Sequence, residues 1–137
     1  MKKLLFLVAL VLVAHAGFGQ VTAAVGSTTA NADLALAVFE TQNFDFGKIK
    51  QGIPATHEFK FKNTSKVTMV ITNVQASCGC TTPDWSKDPI PPGGSGFVKA
   101  TYNAAGVGSF NKSVTVTANV ESGMVSLIIK GEVVANQ

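Results

Sequence analysis

Ser113-Val114-Thr115-Val116-Thr117-Ala118-Asn119-Val120 alternates without a break, with Val114, Val116, Ala118 and Val120 on one side and Ser113, Thr115, Thr117 and Asn119 on the other. Successive side chains of a strand point to opposite faces, so this run is a strand with one buried and one wet face. Glu121-Ser122-Gly123 follows, and then the β-prone stretch Met124 to Val134. A tight, glycine-ended connection between two such runs predicts a hairpin.

The same period recurs upstream. Within Thr56 to Asn63, Phe59 and Phe61 face one way while Glu58, Lys60 and Lys62 face the other. Val98, Ala100 and Tyr102 alternate against Lys99 and Thr101. Leu34 to Glu40 is β-prone, and Phe44 and Phe46 alternate ahead of Gly47. Met69 to Ala76 reads as a further strand, but Met69, Ile71 and Val74 switch parity, which places a bulge or break at Thr72-Asn73. After the cysteines, Pro83, Pro89, Pro91, Pro92, Gly93 and Gly94 predict a long turn-rich connection that holds Trp85. No stretch downstream of residue 33 carries a helical period. About seven strands in roughly 100 residues predict an all-β, two-sheet sandwich, with a small closed barrel as the alternative.

The N-terminal stretch is of another kind. Lys2 and Lys3 precede an unbroken apolar run from Leu4 to Ala14, and Ala14-His15-Ala16 closes it. This is the pattern of a secretory signal peptide, expected over residues 1–19 with cleavage near residues 16–20. A membrane anchor needs about 20 apolar residues, far more than this run supplies. Residues 20–33, rich in Thr, Ala, Ser, Gly and Asn, are expected to form a flexible leader. The domain is expected over residues 34–135, exported to the periplasm or beyond the cell. Without Lys2 and Lys3, nine lysines face eight acids, a net charge of +1. The chain has no arginine, the residue suited to bidentate phosphate contacts, and no concentrated basic face. Nucleic-acid binding is therefore not expected, nor a membrane-spanning segment in the mature chain.

The residues also carry a recognisable order. Asp45-Phe46-Gly47-Lys48-Ile49 with Gly52 opens it, followed by Phe59-Lys60-Phe61-Lys62-Asn63, Val74, and Ser77-Cys78-Gly79-Cys80-Thr81. Ile90-Pro91-Pro92-Gly93, Gly108-Ser109-Phe110-Asn111-Lys112, Val114-Thr115-Val116 and Ile129-Lys130-Gly131-Glu132-Val133 complete it. From Phe39 to Val134 the chain resembles the bacterial family called domain of unknown function 1573. More distantly it is similar to immunoglobulin-like domains of the major-sperm-protein type. The resemblance implies a seven-stranded immunoglobulin-like sandwich in exported bacterial proteins, and no established activity.

The two cysteines, Cys78 and Cys80, are the residues with chemical reach. They permit free thiols, an internal disulfide, bonds to another chain, or a metal. On an extended strand their Cα atoms would lie about 6.6–6.8 Å apart, the upper limit for a disulfide. Closing a three-residue loop stabilises a fold by only about 1.6 kcal/mol before strain, so the bond is a poor staple. Zinc needs four ligands, and the mature chain offers two cysteines and the remote His57. Two thiolates suit Cu(I), although no methionine-rich run accompanies them. The remaining alternative is structural: the pair caps a strand end and packs on Pro83 and Trp85.

Other residues read as ordinary. His57 shares parity with Phe59 and Phe61 and belongs on the core rim, while Glu58 points away and cannot orient it. Asp84 and Asp88 bracket Trp85 without the oxygen-ligand density of a calcium loop. Trp85 is expected as a lid on the core, with an exposed contact residue as the alternative. Asn63-Thr64-Ser65 and Asn111-Lys112-Ser113 match the glycosylation sequon. No nucleophile elbow, phosphate loop or carboxylate cluster is present. The reading is a non-enzymatic binding or structural module with a protein partner in the cell envelope and no cofactor. The alternative is thiol–disulfide exchange or Cu(I) binding at Cys78 and Cys80, with Thr81 and Trp85 as neighbours.

Overall fold

Strand alternation obliges two sheets to bury their apolar faces against each other, and the computed structural model, which describes residues 34–136, has that architecture. Its strands are β1 (Ala37–Phe39), β2 (Asn43–Lys50), β3 (Ala55–Asn63), β4 (Ile71–Ala76), β5 (Thr81–Trp85), β6 (Ser95–Tyr102), β7 (Gly108–Ala118) and β8 (Met124–Val134). They form two four-stranded sheets, ordered β1-β3-β6-β5 and β2-β8-β7-β4. Neighbours run antiparallel except β2 and β8, which are parallel. The segments expected as signal peptide and leader lie outside the described residues. Among the described residues no helix is long and apolar enough to cross a membrane.

The alternating sets meet in the core. Phe59, Phe61, Val98, Ala100 and Tyr102 from one sheet face Ile71, Val74, Val114, Val116, Leu127, Ile129 and Val133 from the other, all buried. The β7–β8 hairpin forms as expected, its turn closed by the Gly123 N–H donating to Val120 O. The parity switch in β4 is a register shift between Ile71 and Asn73.

There are eight strands, not seven. The added one is β5, placed in the stretch read as a turn-rich connection. Pro83 disqualified it there, since proline cannot donate to a ladder. At a sheet edge that loss is tolerated, and β5 is an edge strand paired only with β6. Thr81, Pro83 and Trp85 turn inward while Thr82 and Asp84 are exposed.

The chain also changes sheets early. Glu40 N–H still donates to Lys60 O of β3, whereas Gln42 O already accepts from Ile128 N–H of β8. β2 then needs its own correction of parity, because Phe44, Phe46 and Ile49 all pack on the core. A register shift between Asp45 and Lys48 supplies it. Gly47 takes a φ of 64° there, and its N–H donates to Asp45 Oδ1 at 2.8 Å. Gly131 of β8 lies directly across, where an added Cβ would meet Gly47 O and the Phe110 ring at 2.9 Å.

Asn63 ends β3 fully buried. Its amide donates to Val67 O (2.7 Å) and Ile90 O (3.0 Å), and its Oδ1 accepts from the Ser65 N–H and hydroxyl. All of its polar capacity is used inside the protein, so the sequon at Asn63 is not a glycan site.

Gly131→Ala is expected to lower stability by about 1–3 kcal/mol in a urea titration, since the added Cβ would press on backbone at Gly47 and on the buried Phe110 ring. Gly106→Ala, at a position open to solvent, should stay within about 0.5 kcal/mol of the parent. Equal effects at the two positions would contradict the crowding at Gly131.

Candidate functional site

β4 is an edge strand of one sheet and β5 an edge strand of the other, and residues 77–80 carry the chain between them. Cys78-Gly79-Cys80 is therefore a corner of the sandwich rather than part of a strand. The turn brings the two Cα atoms to 5.3 Å, inside the disulfide range, and the sulfurs are bonded to each other. No free cysteine remains among the described residues.

The corner is fixed from both sheets. On the β7 side, Ser77 N–H donates to Ser113 O at 2.8 Å, and Ser113 N–H donates back to Ser77 Oγ at 3.1 Å. On the β6 side, Asn103 N–H donates to Cys80 O at 2.9 Å. Within the turn, Thr81 N–H donates to Cys78 O at 3.4 Å. Asn103 is held by the Ala105 N–H, which donates to its side-chain oxygen, and by Ala104, buried with φ of 52°. That left-handed conformation is uncommon for a residue with a Cβ. It turns the β6–β7 connection so that Ala104 O accepts from Gly52 N–H while Asn103 faces the corner. Sequence reasoning found Cys78, Cys80 and Thr81, and had Ser77 in the same run without a role, but not Asn103, Ala104 or Ser113, which lie on other elements.

The two cysteines are not equivalent. Both are partly buried; Cys80 packs against the core, and Cys78 has the Thr81 hydroxyl 3.9 Å from its sulfur. Thr81 itself is 4% exposed. Trp85 is not part of this constellation. It pairs with Val98 at the far end of β5, about 13 Å along the strand from Thr81 at about 3.3 Å per residue. There it is partly buried against the core, with Lys87 Nζ over its ring at 2.9 Å from the centroid. Lys87 also reaches Asp84 at 3.8 Å, an exposed pair of small energetic weight. Among the described residues no three His, Cys, Asp or Glu side chains converge to hold a metal ion.

His57 lies on the core-facing side of β3, paired with Ala100 of β6, stacked on Phe44 at 3.6 Å and edge-on to Phe59 at 4.6 Å. Its Nε2 is buried without a hydrogen-bond partner. Burial holds its pKa below the ordinary 6.5, with Glu58 pulling less strongly upward. The imidazole acts as a neutral aromatic that joins β2 to β3.

The architecture is that of an immunoglobulin-like sandwich carrying a disulfide corner. The ASH/PapD-like domain 7 of human CEP192 superposes with a TM-score of 0.61 at 10% identity, over 74% of this chain and 87% of that one. A protein of unknown function from Porphyromonas gingivalis W83 gives 0.65 at 17% identity, over 74% of this chain and 48% of that one. The chain thus spans about half the length of that protein. The secreted serine protease VesC from Vibrio cholerae gives 0.56 at 15% identity, over 71% of this chain and only 23% of the protease. At these identities the likeness is one of fold. No curated protein matches the chain. Residues 37–133 match the family described as Protein of unknown function (DUF1573), and the chain belongs to that family.

The unfolded chain binds a proton at His57 more readily than the native protein does. Stability is therefore full above about pH 6.5 and falls as pH drops below it, levelling off once the native imidazole is also protonated. His57→Phe should retain the stack and lose less stability than the parent between about pH 7.5 and about pH 5, read as denaturation midpoints. Parallel pH profiles would show that His57 does not contribute.

Proposed function

We propose that the chain is an exported, non-enzymatic binding module of the bacterial envelope, and that it takes a protein partner by strand addition along β1. Export is supported by the charged, apolar and small-residue segments in order over residues 1–19, ahead of a polar leader at 20–33 and the domain at 34–135. A binding role suits an open sandwich whose residues form no catalytic constellation.

The observation that carries the choice of β1 is its outer edge. β1 pairs with β3 alone, and its other side has no partner strand among the described residues. Leu36 and Val38 stand there 58% and 52% exposed, beside a groove of about 530 Å³ lined by Val38, Lys60, Lys62 and Phe97. The remaining edges are less receptive. β5 carries Pro83 at its centre, and β2 and β4 are each interrupted by a register shift. A peptide laid along β1 gains main-chain hydrogen bonds, and every second side chain meets Leu36, Val38 and the groove.

A photo-crosslinking amino acid placed at Val38 in cells expressing the full chain should give a discrete adduct with an envelope protein, and one at the exposed turn residue Glu121 should not. Leu36→Lys together with Val38→Lys should remove that partner while stability changes by about 0.5 kcal/mol or less, both sites being on the surface. An uncut protein retained in the cytoplasm, or the same adducts from both positions, would rule the reading out.

A further inference from the structure

We propose that Cys78–Cys80 is a reversible thiol–disulfide exchange site for a dithiol protein, with Cys78 as the sulfur that is attacked. This goes beyond the binding role and rests on different residues.

Three features of the corner carry it. The first is access. Gly79 has an ordinary backbone conformation, and a Cβ built on it meets nothing within 4 Å. Neither backbone geometry nor packing demands glycine at that position. Gly79 itself is exposed, and the space beside this residue between the two cysteines is open. The second is asymmetry. Both cysteines are partly buried, but Cys80 packs against the core cluster and Cys78 does not, which favours attack at Cys78. The third is that the corner does not rely on the bond for its shape. Ser77 is tied to Ser113, Cys80 to Asn103, and Thr81 to Cys78, all through hydrogen bonds that involve neither sulfur. The backbone that brings the two Cα atoms to 5.3 Å is held by both sheets, so the dithiol stays poised to close again. A bond that spans only three residues and joins two partly buried cysteines on either side of an exposed glycine is suited to exchange rather than to stapling.

The step is a paired displacement. The partner thiolate attacks Cys78 Sγ, the Cys78–Cys80 bond breaks, and Cys80 leaves as a thiolate that takes up a proton. The partner's second thiol loses its proton and attacks its own sulfur in the mixed disulfide. That releases Cys78, which is protonated in turn, with Thr81 Oγ1 beside its sulfur. Two electrons and two protons pass to this chain, and the partner dithiol becomes a disulfide.

The test uses protein purified from cells expressing the full chain, with dithiothreitol as the dithiol and oxidised glutathione for the return. Alkylation followed by mass spectrometry reads the two-hydrogen change. The native protein should be reduced at a rate that rises linearly with dithiothreitol, keep its sheet circular dichroism, and close again with oxidised glutathione. Gly79→Leu should fold as the parent does and exchange about tenfold more slowly in both directions, because the leucine covers the sulfurs. In single variants, Cys78 of Cys80→Ser should form a mixed disulfide with glutathione about tenfold faster than Cys80 of Cys78→Ser. Reduction that saturates at the rate of global unfolding would overturn the proposal. So would unchanged exchange in Gly79→Leu, or a faster Cys80. The Gly79→Leu comparison stands even if a cysteine variant fails to fold.

Discussion

Everything in this domain depends on two sheets covering each other's apolar faces. Neither sheet is stable alone, because Phe59, Phe61, Val98 and Tyr102 have no other surface to meet than Val114, Val116, Leu127 and Ile129. That demand explains the irregularities as well as the regular strands. The shift at Ile71/Asn73 and the bulge around Gly47 each restore parity, so that Val74 and Ile49 return to the interior. Gly131 is bare for the same reason, leaving space for the Gly47 carbonyl and the Phe110 ring.

The strands that were legible in the sequence are those buried on one face and wet on the other. β3, β6 and β7 announce themselves through Phe59/Phe61, Val98/Tyr102 and Val114/Val116 because solvent enforces the alternation. β5 was hidden by Pro83 and by its short, mostly polar content, and only its edge position makes that composition workable. That β1 and β2 belong to different sheets was hidden too, because a change of sheet leaves no mark on the period of the side chains. Asn63 was visible as a strand end and a sequon, whereas its side chain also ties its own loop, through Ser65 and Val67, to Ile90, 27 residues along the chain.

The candidate site divides in the same way. Cysteines are conspicuous by type, so Cys78, Cys80 and Thr81 could be singled out directly. Ring closure could not be settled from spacing, since an extended strand puts the pair at the limit of reach and the actual turn shortens the distance to 5.3 Å. Ser113 and Asn103 are hydrogen-bonded into the corner from 36 residues beyond Ser77 and from the end of β6, separations that no local pattern encodes. Trp85 was drawn to the cysteines by closeness in sequence, and the extended path of β5 carries it away.

The parallel pairing of β2 with β8 has a mechanical consequence. β2 belongs to the start of the domain and β8 to its end, and they lie side by side in the same direction from Asn43↔Ile128 to Lys50↔Val134. Tension applied at Leu34 and Asn136 draws one strand back towards its beginning and the other forward towards its end. The load therefore runs along the strands and is shared among their cross-bonds, instead of opening them one at a time like a zip. A domain joined to its surroundings through both termini would load the short β1, paired with β3, from the N-terminal side and then carry the force across this pair in shear.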